Sequence, residues 1–186
     1  MELGKATELA NKVLNKLKVY CDQALIAGSI RRECEKVGDI EIVARPKTIE
    51  NDHLFFEGVK LKAHQPLYGY LDKLETQKKI RQIKKGHKYR KFLLLSGKEK
   101  PIISVDLFLI HHLNEFGTQL LIRTGPRSFS KWIVNVRKNK GFLFEKKRLL
   151  QNGKEIDTSS EAKVFKALNI PYIYPNKRVG PVILDK

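Results

Sequence analysis

Cysteine is nearly missing from this chain of 186 residues, which holds Cys21 and Cys34 and no others. Two thiols at that spacing exclude a disulfide framework and a cysteine-based zinc site. His111 and His112 are adjacent, and no histidine pair has H-x-x-x-H spacing, so the histidines read as isolated side chains. No uninterrupted apolar run is long enough to cross a bilayer. Met1 leads into ELGKATELA without a basic region ahead of an apolar stretch, so no signal peptide is expected. Internal repeats and low-complexity tracts are absent as well. The expectation is a soluble, intracellular chain, in cytoplasm, nucleoid or a viral setting, with no membrane partner.

Acidic residues are the other shortage. Lys and Arg number 37 against 20 Asp and Glu, a formal net charge of +17. That imbalance exceeds the few charges a small domain needs for solubility, and it costs self-repulsion. It points to a polyanionic partner, with nucleic acid ahead of a membrane surface. A hydrophobic content of 41% supports a packed core and excludes a disordered basic tail.

Residues 5–20 carry Leu9, Ala10, Val13, Leu14 and Leu17 at helical spacing, with Lys12, Lys16 and Lys18 on the polar side. ALIAG (24–28) reads as a buried strand ended by glycine, and DIEIVA (39–44) as a strand with an aliphatic face and an acidic one. After a connecting segment from Pro46 to Gly69, a short helix is predicted around Leu67–Leu74. KKG then turns a hairpin between Ile80–Ile83 and Tyr89–Leu95. SGKEKP (96–101) is another turn, and IISVDLFLI (102–110) is a strand carrying a single acid, Asp106. A carboxylate on so apolar a strand needs a partner or a task.

From Asn114 the pattern turns helical, over 115–123 and 126–139, interrupted at Thr124-Gly125-Pro126. Short β segments are expected around Lys140–Leu150, with a turn at Asn152-Gly153. A last helix is expected from Thr158, with Thr158 and Glu161 as a capping box, ending at Pro171. The fold class is therefore α+β: a strand-rich part, residues 1–115 with its N-terminal helix, then a smaller C-terminal part, 116–186.

Chemistry concentrates in GSIRRECEKVGDIE (28–41). Gly28 and Ser29 between strand and helix offer backbone N–H groups and a hydroxyl to a phosphate. Arg31 and Arg32 follow within one turn, within reach of the same anion. Asp39 and Glu41, two apart on a strand, share a face, and Asp106 on a neighbouring strand would complete a three-carboxylate cluster. Such a cluster does not stay ionised without cations, and oxygen-ligated divalent metals resolve that. A strand D-x-E alone also fits a solvated or arginine-paired face. The ordered combination points to a nucleotidyltransferase site.

These residues resemble the active-site signature of the nucleotidyltransferase superfamily, and specifically the palm of family X DNA polymerases, the polymerase beta group. LLIRTGPRSFSKWIVNVRKNKGF (120–142) resembles that family's palm-to-thumb segment, and LNIPYIYPNKR (168–178) its ending. The whole is similar to the very small viral-type members, which also carry Thr-Gly-Pro at this turn. The resemblance implies a nucleotidyltransferase palm, a mixed or antiparallel sheet with flanking helices, plus a small C-terminal α/β thumb. It implies that Asp39, Glu41 and Asp106 are catalytic and hold two Mg²⁺ ions, with Mn²⁺ as a substitute. Gly28, Ser29, Arg32, Gly38, Arg123, Thr124 and Gly125 would bind the incoming dNTP.

Three departures from the family pattern stand out. Glu41 replaces the usual Asp and reaches one methylene further. Ile122 and Arg123 stand where many members carry an aromatic pair that screens the sugar. Ser130 and Val134 occupy positions where larger members contact the nascent base pair and template. A cis peptide costs little at Gly125-Pro126. Lys84, Lys85, Lys88, Arg127, Lys131, Arg137, Lys138 and Lys140 are the DNA-binding candidates, joined by Lys78, Lys79, Arg90 and Lys91 as further cations. The implied protein is a monomeric DNA polymerase for short gap-filling repair on gapped or primer-template DNA. The alternatives are a template-independent terminal or RNA/tRNA nucleotidyltransferase and a non-catalytic nucleic-acid-binding module.

Overall fold

Ala6, Ala10, Leu14 and Leu17 fall on one side of a helix and are buried, which seats α1 (Leu3–Lys18) on a sheet. This computed structural model describes residues 1–48, 55–56, 59–60, 65–97, 99–145, 147–178 and 180. Lys16 and Lys18 close the last turn of α1, where cations suit the helix dipole.

The next strand, β1 (Cys21–Ile26), starts earlier than expected and stops before Gly28, which instead opens α2 (Gly28–Arg31). It is an edge strand, so Leu25 stays 40% exposed and the expected full burial is not found. β2 (Asp39–Pro46) follows, then a two-stranded ribbon of β3 (Phe55–Phe56) and β4 (Val59–Lys60). α3 (Pro66–Thr76) lies where the short helix was expected, with Pro66 in its first turn. The hairpin of β5 (Ile80–Lys85) and β6 (Tyr89–Leu95) leads to β7 (Pro101–Leu109).

Five strands form one mixed sheet in the order β1-β2-β7-β6-β5, parallel only between β2 and β7. The pleat separates its two faces. Ile40, Ile42, Ile103, Val105, Leu107 and Phe92 pack under α1 and α3 in the main core, while Asp39, Glu41, Ser104 and Asp106 face the other way.

After a 3-10 turn at Leu113–Glu115 come α4 (Phe116–Thr124) and α5 (Arg127–Asn139), joined through a cis Gly125-Pro126 bond. β8 (Leu143–Glu145), β9 (Arg148–Gln151) and β10 (Lys154–Glu155) make a second, antiparallel sheet. Asn152 and Gly153 both take positive φ in the turn between β9 and β10, which the Asn-Gly pair predicted. Phe129, Ile133, Phe142, Leu149, Val164 and Phe165 form the core here. A smaller cluster of Ala27, Val43, Phe108, Ile110, Phe116 and Leu120 packs α4 onto the sheet beside the acids.

The expected capping box at Thr158 is not what starts the last helix, α6 (Glu161–Ala167). Its N-cap is Ser160, whose hydroxyl accepts from the Lys163 amide. Thr158 is buried and donates its hydroxyl to the Asn114 carbonyl. Its own carbonyl accepts the Gly117 amide at 2.8 Å. Chain and helix cross so closely there that a Cβ on Gly117 would lie 2.2 Å from the Ser160 carbonyl oxygen. Glu161 is thereby freed from capping and turned into the interior.

Candidate active site

Parallel pairing of β2 with β7 sets Glu41 opposite Asp106 and Asp39 opposite Ser104. The two strands thus carry all three acids on one face, on adjacent rungs. The rung continues across the sheet, because Lys91 is the β6 partner of Asp106 and Lys84 the β5 partner of Lys91. Two acids and two lysines therefore stand in a row over four strands.

Asp106 is engaged by groups of the chain itself. It accepts the Tyr89 hydroxyl at 2.7 Å and pairs with Lys91 at 3.0 Å. Burial and that bond to Asp106 push the Tyr89 phenol up to about 12, so it remains a donor. Burial, followed by the charges of Asp39 and Asp106, pushes the Glu41 carboxyl up to about 7, against the opposing pull of Arg32 and Arg123. Burial and Asp106 also raise Asp39. Among the described residues, no three carboxylate, histidine or cysteine side chains are already drawn together as metal ligands. The donor set still suits a hard divalent cation: three carboxylates on one face, two of them held above their ordinary range by burial and then by the neighbouring acids, whose repulsion a cation would relieve.

Beside the acids, Gly28 sits at φ +63°, and a Cβ there would lie 1.9 Å from Glu41 Oε2. The glycine is demanded both by backbone conformation and by the acid that leans over it. Next to it the Ser29 hydroxyl is buried with no hydrogen-bond partner among the described residues. A buried polar group left unpaired is costly, and an anion's oxygen would satisfy it. Gly38 precedes Asp39 on an exposed bend, where a Cβ would meet nothing.

The two arginines of the motif part company. Arg32 donates to the Thr124 carbonyl and lies 3.2 Å from where a Gly125 Cβ would stand. Arg32, Thr124 and Gly125, far apart in sequence, are thus brought together. Arg31 turns away and donates two hydrogen bonds to Glu161, at 2.9 and 2.7 Å, and a third to the Thr124 hydroxyl at 2.7 Å. Arg178 and Tyr172 also donate to Glu161, at 2.7 and 2.8 Å. Glu161 is 4% exposed and Arg178 2%. Burial alone would raise this carboxyl, but the bonds from Arg31 and Arg178 outweigh it and hold it below the usual range. Sequence reasoning missed this centre; its only signal was a Glu assigned to a cap.

Arg123 lays its guanidinium over the Phe108 ring, 4.0 Å from the centroid, and Phe108 stacks on Tyr89 at 5.3 Å. Ser130 donates to the Ile122 carbonyl at 2.8 Å, so its hydroxyl is engaged in holding the α4–α5 turn.

The cations predicted to meet DNA are scattered by the pleat. Lys84 lies over the Tyr89 ring on the acid face with Lys91, whereas Lys85 pairs with Glu75 of α3 on the opposite side. Arg90 is buried there as well, over the Tyr68 ring and bonded to Gln82. Lys78 pairs with Glu99, and Lys79 and Lys88 are exposed. On α5, Arg127, Lys131 and Lys138 are exposed at positions that share one helical face, and Lys140 is exposed just beyond. Arg137 is half-buried and donates to the Phe142 carbonyl at 3.1 Å, supporting the end of its own helix.

No helix among the described residues is long and apolar enough to cross a membrane. No curated protein matches the chain. Residues 119–179, about a third of its length, match the family model of the DNA polymerase beta thumb, from within α4 through α6 to the buried Arg178. That match supports a relationship to the family X polymerases.

Proposed function

We propose that the chain is a nucleotidyltransferase of family X type: a palm, residues 1–115, and a thumb, 116–186, that add a dNMP to a DNA 3′-hydroxyl. The observation that carries this reading is one arrangement, Asp39, Glu41 and Asp106 on adjacent rungs of one sheet face beside the buried Ser29 hydroxyl and Arg32. A polymerase beta thumb match over residues 119–179 favours this reading over other transferases with such a palm.

In this reading the Ser29 hydroxyl and the neighbouring backbone amides, through Gly38, hold the triphosphate, and Arg32 reaches it from the Thr124-Gly125 turn. Asp39, Glu41 and Asp106 would hold two Mg²⁺ ions, which would supply the charge that brings a polyanionic triphosphate and a 3′-oxygen together. The Asp106 carboxylate takes the proton of the 3′-hydroxyl. The 3′-oxygen then bonds to the α-phosphorus, and pyrophosphate leaves with the electron pair of the broken bond. Catalysis of this kind is positioning and electrostatics. Arg127, Lys131 and Lys138 on one face of α5, with Lys84 and Lys88, hold the DNA backbone, so binding weakens with salt. Short gap-filling synthesis by a monomer fits this small, basic architecture.

A second reading rests on Arg123, whose guanidinium lies over Phe108 at a position where many members of the resembled family carry an aromatic screen for the sugar; in this reading ribonucleotides or untemplated addition are accepted. One assay separates the readings. The chain is given a gapped primer-template, a blunt end or an RNA end, with single dNTPs or rNTPs and Mg²⁺ or Mn²⁺. Templated dNMP addition supports the polymerase, untemplated or ribonucleotide addition the second reading, and binding without addition overturns both. Asp106→Ala should nearly abolish incorporation; retention of wild-type rates would refute the site.

A further inference from the structure

Among the described residues, the face of the five-stranded sheet opposite the acids is not fully covered. α1 and α3 lie side by side on it, and between them runs a groove of about 270 Å³. Leu9, Val13, Leu74, Leu94, Leu95 and Ile102 supply apolar walls, and Leu17, Leu71 and Phe92 belong to the buried core beneath. Ile102 is 42% exposed, unusual for so apolar a strand residue. Tyr20 and Tyr70, stacked at 4.4 Å, join the end of α1 to α3.

The rim has one sign. Lys12, Lys16 and Lys79 line the groove and no carboxylate does. Lys12 is paired with Glu8 of its own helix, but Lys16 and Lys79 make no ion pair among the described residues. Because the pleat sends Lys91 and Leu93 the other way from Phe92, an occupant here does not meet Asp106 or Arg32.

We infer that this groove docks an acidic amphipathic segment of a partner protein. Its large apolar side chains would enter the groove, and flanking Asp or Glu residues would meet Lys16 and Lys79. Complementarity selects that occupant. A nucleic-acid backbone would satisfy the lysines and leave the apolar walls wet. A second copy carrying +17 of its own would bring like charge against the rim. An apolar helix face with carboxylates at its edges satisfies both walls and rim, with anchors at i, i+3 or i+4. The inference does not depend on the polymerase reading, because the two use opposite faces.

A library of short random peptides displayed on phage, panned against the full chain, tests it. Enriched sequences should carry large apolar residues at helical spacing, flanked by Asp or Glu. Synthetic versions should bind about tenfold more weakly to a Lys16→Glu/Lys79→Glu double variant and to Ile102→Glu. The substituted side chains are exposed, and the double variant stands as the test even where Ile102→Glu is destabilised. Absence of enrichment, basic or uncharged consensus sequences, or undiminished binding to the double variant would each overturn the inference. So would displacement of the peptides by duplex DNA, or a self-associated chain that the peptides dissociate.

Discussion

Glu41 and Gly28 fit one another: Glu41 Oε2 occupies the space, 1.9 Å away, that a Cβ on residue 28 would need. The Glu41 carboxylate is accommodated because its neighbour has no side chain. Gly28→Ala should cost about 1–2 kcal/mol for the left-handed backbone alone. It should also displace Glu41 and lower incorporation. Combining it with Glu41→Asp, which withdraws the carboxylate, should be less damaging than the sum of the two single changes. Urea midpoints and single-nucleotide incorporation, measured on the two singles and the double, give the coupling directly; strict additivity would show that the two residues do not compete for this space.

The raised Glu41 carboxyl makes stability fall with pH. Between its ordinary value of 4.5 and its folded value of about 7 the native chain retains a proton that the unfolded chain releases. The contribution is therefore most favourable below 4.5 and is lost as pH rises to about 7. Glu41→Gln should match the wild type at the acid end and exceed it in denaturant resistance at the alkaline end. Millimolar Mg²⁺ should narrow that alkaline gap. A variant no more stable than the wild type above this window would contradict the assigned environment.

Glu161 titrates in the opposite sense. Its carboxyl is held below its ordinary 4.5, so its stabilisation is complete above that value and is lost as pH falls through the lower, folded one. Glu161→Gln should cost about 3–5 kcal/mol near neutrality, because it strands two guanidinium groups, one of them fully buried. The gap between variant and wild type should shrink on acidification. Thermal melts across the acid range measure it, and a pH-independent gap would argue against a charged Glu161.

Lys91 stands where a divalent cation would have to compete for Asp106. Replacing it with Met should tighten Mn²⁺ binding by about three- to tenfold, since a like charge is removed from a half-buried acid. Paramagnetic titration of free Mn²⁺ on the full chain reads this without turnover. Unchanged or weaker binding would show that Lys91 does not contend with the cation.

Local pattern was enough for most of the larger elements and for the chemical inventory, but not for the start of α6 or the β3–β4 ribbon. The spacing of Leu9 to Leu17 predicts a helix, the alternation in DIEIVA predicts an acidic face, and Asn-Gly predicts a turn, because each depends on side-chain periodicity or on one residue's backbone freedom. The Gly-Ser, Arg-Arg and Asp-x-Glu spacings likewise belong to one short segment. Tertiary structure alone decided what those residues face. The parallel register that puts Glu41 against Asp106 joins strands far apart in the sequence, and no local preference specifies it. Arg31 and Arg32 are neighbours with identical side chains, yet one is spent on Glu161 and the other reaches the Thr124-Gly125 turn. That division follows from where α4 and α6 pack. A buried ion pair is chosen by which charges the core brings within hydrogen-bonding distance, and sequence spacing carries no record of that.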